Sequence, residues 1–152
     1  MIPSSLPSLD QVQWLPVNIL AQIILDLVHL TADADRPDAS SSIRVLHTVN
    51  PETCSWSELL PAITRYLGDT VKVVSFPTWL EALRETQDSS DPNLNPAVKL
   101  LDFYEQAERM GKAGLELPIL ETSTTQSQSR TLRDVGRVNG AWMEMWMKQW
   151  SF

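Results

Sequence analysis

Five glycines, Gly68, Gly111, Gly114, Gly136 and Gly140, are all that the chain contains. None stands in a glycine-rich turn between a strand and a helix. Nucleotide-binding α/β folds need such a turn, because only a residue without Cβ lets backbone N–H groups close on a phosphate. No dinucleotide or nucleoside-triphosphate cradle is therefore encoded here, and no cofactor is expected. His29, His47 and Cys54 lack the spacing of zinc ligands, so no metal is expected either.

Charge and length narrow the class further. With 152 residues the chain suits one domain, 1–152, able to bury about two-thirds of its unfolded surface. Twelve basic against 19 acidic side chains leave a net charge of −7. A phosphate polyanion would meet repulsion, and no Lys/Arg cluster relieves it, so nucleic acid is excluded as a general partner. The longest apolar stretch, Ile19 to Leu30, carries Gln22, Asp26 and His29 and falls short of the roughly 20 residues of a bilayer span. No basic region precedes an apolar core at the N-terminus, so no secretory signal is read. A lone cysteine excludes an internal disulfide and fits a reducing, cytoplasmic compartment.

Hydrophobic spacing sets the elements of a mainly helical α/β chain with two or three short strands. Residues 1–13 form a lead-in in which Pro3 and Pro7 disfavour a helix. Asn18 is expected to cap a first helix, whose Leu20, Ile23, Ile24, Leu27 and Val28 form a wide buried face. Residues 31–42, 87–95 and 121–129 read as flexible loops, being rich in Asp, Ser, Thr, Asn or Gln. Ile43–Val49 and Val71–Phe76 read as strands. Ser55 and Glu58 have capping-box spacing ahead of a helix carrying Leu59, Leu60, Ile63 and Leu67, with Gly68 as its stop. Pro77 starts a helix with Trp79, Leu80 and Leu83. Asn95-Pro96 is a cap and first-turn proline for a helix carrying Val98, Leu101 and Tyr104. Leu115–Leu120 reads as a short extended segment. One or two helical turns are expected over Ser129–Val135, and Asn139 caps a last helix with tryptophan at 142, 146 and 150.

Four of these segments, in register, carry a family likeness. They are Trp14-Leu15-Pro16-Val17-Asn18-Ile19-Leu20-Ala21-Gln22-Ile23-Ile24, His47-Thr48-Val49-Asn50-Pro51, Ser75-Phe76-Pro77-Thr78-Trp79-Leu80 and Asn95-Pro96-Ala97-Val98-Lys99-Leu100-Leu101-Asp102-Phe103. Together they resemble the C-terminal, substrate-binding part of fungal thioester reductase domains, roughly from Ile2 to Trp150. Those domains belong to nonribosomal peptide synthetases, polyketide synthases and adenylate-forming reductases. The resemblance implies the substrate subdomain of an extended short-chain dehydrogenase without its NADPH-binding Rossmann half. The family's Tyr-x-x-x-Lys acid–base pair is absent: Thr70 follows Tyr66 at that spacing, and Glu108 follows Tyr104. The aspartate usual after Pro-Val is Asn18 here, which keeps capping ability and removes a charge. By family analogy the Ile43–Val49 strand belongs to the sheet of the missing half. Standing alone, it would expose one apolar face and unpaired backbone groups, to be covered by self-pairing, a homodimer or rearrangement.

The function this implies is binding of a small hydrophobic biosynthetic intermediate of polyketide or peptide type, with a carrier protein as the macromolecular partner. Six tryptophans are an excess that asks for an account, and large aromatics serve first to fill cores. As pocket residues, the expectation falls on Trp14, Trp79, Phe103, Tyr104, Trp142 and Trp146, with adaptable methionines interleaved in the last helix. His47 is the best-placed single base. Two rivals stand beside this reading. One is a free-standing, cofactor-independent cyclase that shapes a reactive intermediate. The other is a scaffold that contacts a carrier protein and does no chemistry.

Overall fold

The computed structural model describes residues 1–32, 44–87 and 95–150. Its architecture is mainly helical, with four two-residue strands among the described residues, in agreement with the α/β class read from the sequence. The elements are β1 (Ile2–Pro3), β2 (Gln11–Val12), α1 (Val17–Ala32), β3 (Cys54–Ser55), α2 (Trp56–Leu67), β4 (Val73–Val74), α3 (Phe76–Glu85), α4 (Leu101–Lys112), α5 (Ser123–Gln128), α6 (Arg130–Asp134) and α7 (Gly140–Trp150). β1 runs parallel to β4 with Ile2 opposite Val73, and β2 runs antiparallel to β3 with Val12 opposite Cys54. Among the described residues no helix is long and apolar enough to cross a membrane.

The chain divides into two compact units. The first takes Met1–Val12, Cys54–Leu117 and Asn139–Phe152. Its α2 starts at the expected capping box: the Glu58 N–H donates to Ser55 Oγ, and the Ser55 N–H donates to Glu58 Oε1. The helix stops at Gly68, whose φ of 69° lies in the left-handed region that a side chain disfavours. Against α2 lies α7, which buries Met143 and Met147, while α2 buries Leu59, Ala62 and Ile63. Asn139 caps α7 as expected, its Oδ1 accepting from the N–H groups of Ala141 and Trp142. A second cluster joins α3 to α4 through Phe76, Leu80, Leu83 and Leu101. Ser75 caps α3, accepting from the Thr78 N–H, so this helix begins at Phe76, one residue ahead of Pro77.

The lead-in forms no helix, as its prolines suggest. It contributes β1 and β2, and Trp56 Nε1 donates to the Pro3 carbonyl at 2.8 Å. Pro7 lies against Gly111 of α4, where a Cβ would stand 2.5 Å from the proline's own. The Ser8 hydroxyl donates to the Ala107 carbonyl in the same helix. Two further expectations shift here. The strand read over Val71–Phe76 contracts to β4, because only Val73 and Val74 find a ladder partner. Asn95 does not cap α4; a 3-10 helix over Pro96–Leu100 intervenes, and Asn95 Nδ2 donates instead to Thr86 Oγ1. Leu115–Leu120 belongs to no strand.

The second unit takes Gln13–Thr53 and Pro118–Val138. Here α1 begins one residue before Asn18: the Leu20 N–H donates to the Pro16 carbonyl, so Pro16 occupies the capping place and Asn18 sits exposed in the first turn. Its face is narrower than expected. Ile23 is fully buried, but Ile24 and Val28 are about half exposed. The strand expected over Ile43–Val49 is not found: Arg44–Thr48 pairs in no ladder, and Ile43 lies outside the described residues. A strand is held by a neighbour, and the described residues offer this segment none. The flexible loop expected over 121–129 is contradicted as well. Its residues 123–128 form α5, and Thr122, Thr125 and Ser129 are buried. Of the other two loop readings, Thr31 and Ala32 close α1. Residues 33–43 and 88–94 lie outside the described residues.

Candidate functional site

The predicted aromatic residues fall into three places rather than one. In the α3–α4 cluster the rings form a chain. Trp79 lies 5.5 Å from Phe76 and meets Tyr104 edge-to-face at 4.9 Å, and Tyr104 meets Phe103 at 5.5 Å. Helical spacing creates this: Phe76 and Trp79 are three apart on α3, while Phe103 and Tyr104 open α4. Phe76 is buried at the base, Trp79 and Tyr104 are half-buried, and Phe103 and Leu100 are each about half exposed. Burial pushes the Tyr104 phenol above its usual 10, so it stays a neutral hydrogen-bond donor at physiological pH. Across the same helix pair Arg84 Nε donates to Glu105 Oε1 at 2.7 Å, fixing α3 against α4.

On α7 the tryptophans make a second chain. Trp142 and Trp146 are 6.1 Å apart and tilted, and Trp146 and Trp150 are stacked at 6.3 Å. Met143 and Met147 are the buried residues of this helix, Trp142 and Trp146 are half-buried, and Trp150 is more than half exposed. Trp14 belongs to the second unit, exposed, just ahead of α1.

His47 is held by its backbone neighbourhood. Its Nδ1 lies 2.9 Å from the Glu121 carbonyl oxygen. A carbonyl can only accept, so Nδ1 is the donor in this contact. The Glu121 carboxylate in turn accepts from the Ser123 N–H, and this hydrogen bond holds it below the usual carboxylate range. The His47 ring is thus oriented by a backbone carbonyl, and the residue lies in no strand. Three residues on, Asn50 is wholly buried and fully used. Its Nδ2 donates to the carbonyls of Trp14 and Gly136, and its Oδ1 accepts from the Glu52 N–H.

The cavities of the second unit were not foreseen. One, of about 250 Å³, is lined by Ile24, Leu27, Val28, Arg44 and Leu46. The other, of about 520 Å³, is lined by the polar residues Asp26, His29, Gln128, Arg130, Thr131 and Asp134. Neither is lined by any of the six predicted aromatic residues or by His47. Ile24, Leu27 and Val28 carry a sequence signal that points to a core rather than to a cavity. Among the described residues no group of three His, Cys, Asp or Glu side chains could hold a metal ion.

No family model matches the chain. Individual relatives do. The chain is similar, from end to end, to part of a fungal reductase. That relative is a carboxylic acid reductase of Neurospora crassa, 32% identical over 154 aligned positions that cover 100% of this chain. A non-reducing polyketide synthase of Aspergillus terreus is 31% identical over 147 positions, 95% of the chain. A 3-methylorcinaldehyde synthase of Talaromyces stipitatus is 32% identical over 140 positions, 90% of the chain. The chain spans 14% of the reductase and 5% of each synthase.

Proposed function

We propose that the chain is the acyl-recognising part of a reductive-release domain in fungal specialised metabolism, and that it binds a hydrophobic polyketide- or aryl-type intermediate on the Trp79–Tyr104–Phe103 surface. The observation that carries this is similarity along the whole chain to a carboxylic acid reductase and to synthases of polyketides and of an aromatic aldehyde. The shared demand in such proteins is to hold an apolar acyl group. The α3–α4 aromatic chain suits that demand: it offers ring faces to the acyl body and one neutral phenol to a thioester carbonyl. On this reading the chain binds and orients. Hydride transfer belongs to nucleotide-binding sequence that these 152 residues do not contain. A carrier protein that presents the intermediate as a thioester is the matching partner.

The test is titration of the purified chain with decanoyl- and benzoyl-N-acetylcysteamine thioesters, read by tryptophan fluorescence and calorimetry. Saturable binding weakened by Phe103→Ala but not by Trp142→Leu is expected. Absence of saturable binding, or equal loss in both variants, would contradict the proposal.

A further inference from the structure

We infer that Asn139 is a site of spontaneous covalent modification. Its side-chain amide is lost by cyclisation onto the Gly140 backbone nitrogen, at a rate gated by the first turn of α7. Two packing demands set these residues side by side. The start of α7 needs a short acceptor, and Asn139 Oδ1 takes the N–H groups of Ala141 and Trp142. The same helix comes close to α2, where a Cβ on Gly140 would stand 3.3 Å from that of Ala62. A cap that must be short is therefore followed by a residue that must be small. The resulting Asn-Gly pair is exposed at Asn139. It occurs once in the sequence, because the other asparagines precede Ile19, Pro51, Leu94 and Pro96. Gly140 is the first residue of α7, so its N–H has no acceptor one turn back.

The chemistry needs only water. The Gly140 nitrogen loses its proton and bonds to Asn139 Cγ, and the Cγ–Nδ2 bond breaks to release ammonia. The succinimide ring so formed is then opened by water at either carbonyl. Attack at Cγ gives aspartate. Attack at the main-chain carbonyl gives isoaspartate, whose backbone runs through Cβ. Glycine leaves the attacking nitrogen unhindered, whereas branched Ile19 crowds it after Asn18, and a proline nitrogen has no proton to lose. In the closed cap the Asn139 side chain is held on Ala141 and Trp142, so the ring closes when that turn opens. The two products act oppositely on the fold. Aspartate keeps the capping oxygen and adds a negative charge at the positive end of α7. Isoaspartate displaces the carbonyl that accepts from the Met143 N–H and lengthens the backbone beside Ala62, which detaches the first turn from α2. This inference is independent of the acyl site on α3 and α4.

Trypsin isolates the residue: cleavage after Arg137 and Lys148 gives Val138–Lys148, in which Asn139 is the only side-chain amide. The intact folded chain is held in warm, mildly alkaline buffer, sampled over several weeks, digested and analysed by mass spectrometry. That peptide should gain about 1 Da and split into two chromatographic forms of equal mass, one of them a substrate for isoaspartyl methyltransferase. The gain should accelerate as pH rises and run severalfold faster in chain unfolded by guanidinium. At Asn18, which is also exposed, no gain should accumulate over the same period. In the unfolded chain, where packing on Ala62 plays no part, Gly140→Ala should slow the reaction severalfold. Asn139→Asp, the direct product, should melt at or above the parent Tm. No gain in Val138–Lys148, a folded chain that reacts as fast as the unfolded one, a rate indifferent to pH, an equal gain at Asn18, an unfolded Gly140→Ala chain that reacts like the parent, or a lower Tm in Asn139→Asp would each overturn the inference.

Discussion

The Ser129 hydroxyl donates to Asp26 Oδ2 across 2.7 Å, joining residues 103 positions apart. Ser129 is wholly buried, and the same oxygen accepts from the Leu132 N–H as the cap of α6. Asp26 accepts further from the Thr131 N–H and from Gln22 Nε2. One carboxylate on α1 thus fixes the junction of α5 with α6.

Acid stability follows from this arrangement. The Ser129, Thr131 and Gln22 hydrogen bonds hold the Asp26 carboxyl at about 2, below its usual 3.8. A depressed carboxyl contributes stability that is full above 3.8 and disappears as pH falls through 2. Thermal melts should therefore lose Tm across that window in the parent and much less in Asp26→Asn. At neutral pH Asp26→Asn and Ser129→Ala should each cost about 1–2 kcal/mol, and the double variant less than their sum.

Gly111 tests a close approach. A helical Gly→Ala exchange ordinarily stabilises by about 1 kcal/mol. Here the new Cβ would stand 2.5 Å from Pro7 Cβ and 3.3 Å from Pro7 Cα, atoms of a rigid ring and backbone. Overpacking wins, and Gly111→Ala should lower stability by about 1–3 kcal/mol in denaturant titration. Gly136→Ala, with nothing within 4 Å of its Cβ, should be close to neutral.

Much of the fold was legible because local chemistry fixed it. The Ser55–Glu58 box, the Gly68 stop and the Asn139 cap each need only residues within a turn of one another. The failures share a nonlocal cause. Ser123–Gln128 has a loop composition, yet it forms a helix beside the α6 cap that Asp26 secures from far away in sequence. Ile43–Val49 has strand composition, yet Arg44–Thr48 forms no ladder, because strand propensity does not supply a neighbour. For the site, helical spacing placed Phe103 beside Tyr104, whereas their meeting with Trp79 depends on how α3 packs on α4. Asn50 enters the sequence reading only as part of the His47-Thr48-Val49-Asn50-Pro51 motif, and nothing local reveals that Trp14 and Gly136 share its amide.

Asn50 should be among the least replaceable residues of the second unit. Asn50→Ala removes a wholly buried amide that serves two carbonyls and one N–H, costing about 2 kcal/mol or more. Asn50→Asp should be at least as damaging, since a carboxylate oxygen would face the Trp14 and Gly136 carbonyls. Equilibrium denaturation checks both.

Phe103 separates binding from stability. Being about half exposed, it can be truncated to alanine with stability kept within about 0.5 kcal/mol. The same change should weaken thioester binding about tenfold, whereas Trp79→Ala should reduce both binding and Tm, because Trp79 also packs on the Phe76–Leu80 cluster.

The most direct measurement is photo-crosslinking of the intact chain with a diazirine-bearing decanoyl-N-acetylcysteamine thioester, followed by peptide mass spectrometry. The account predicts saturable labelling concentrated in the peptides that contain Trp79, Phe103 and Tyr104, suppressed by excess unlabelled thioester. Labelling confined to α7 or to the α1 groove, or labelling that excess thioester does not suppress, would contradict it.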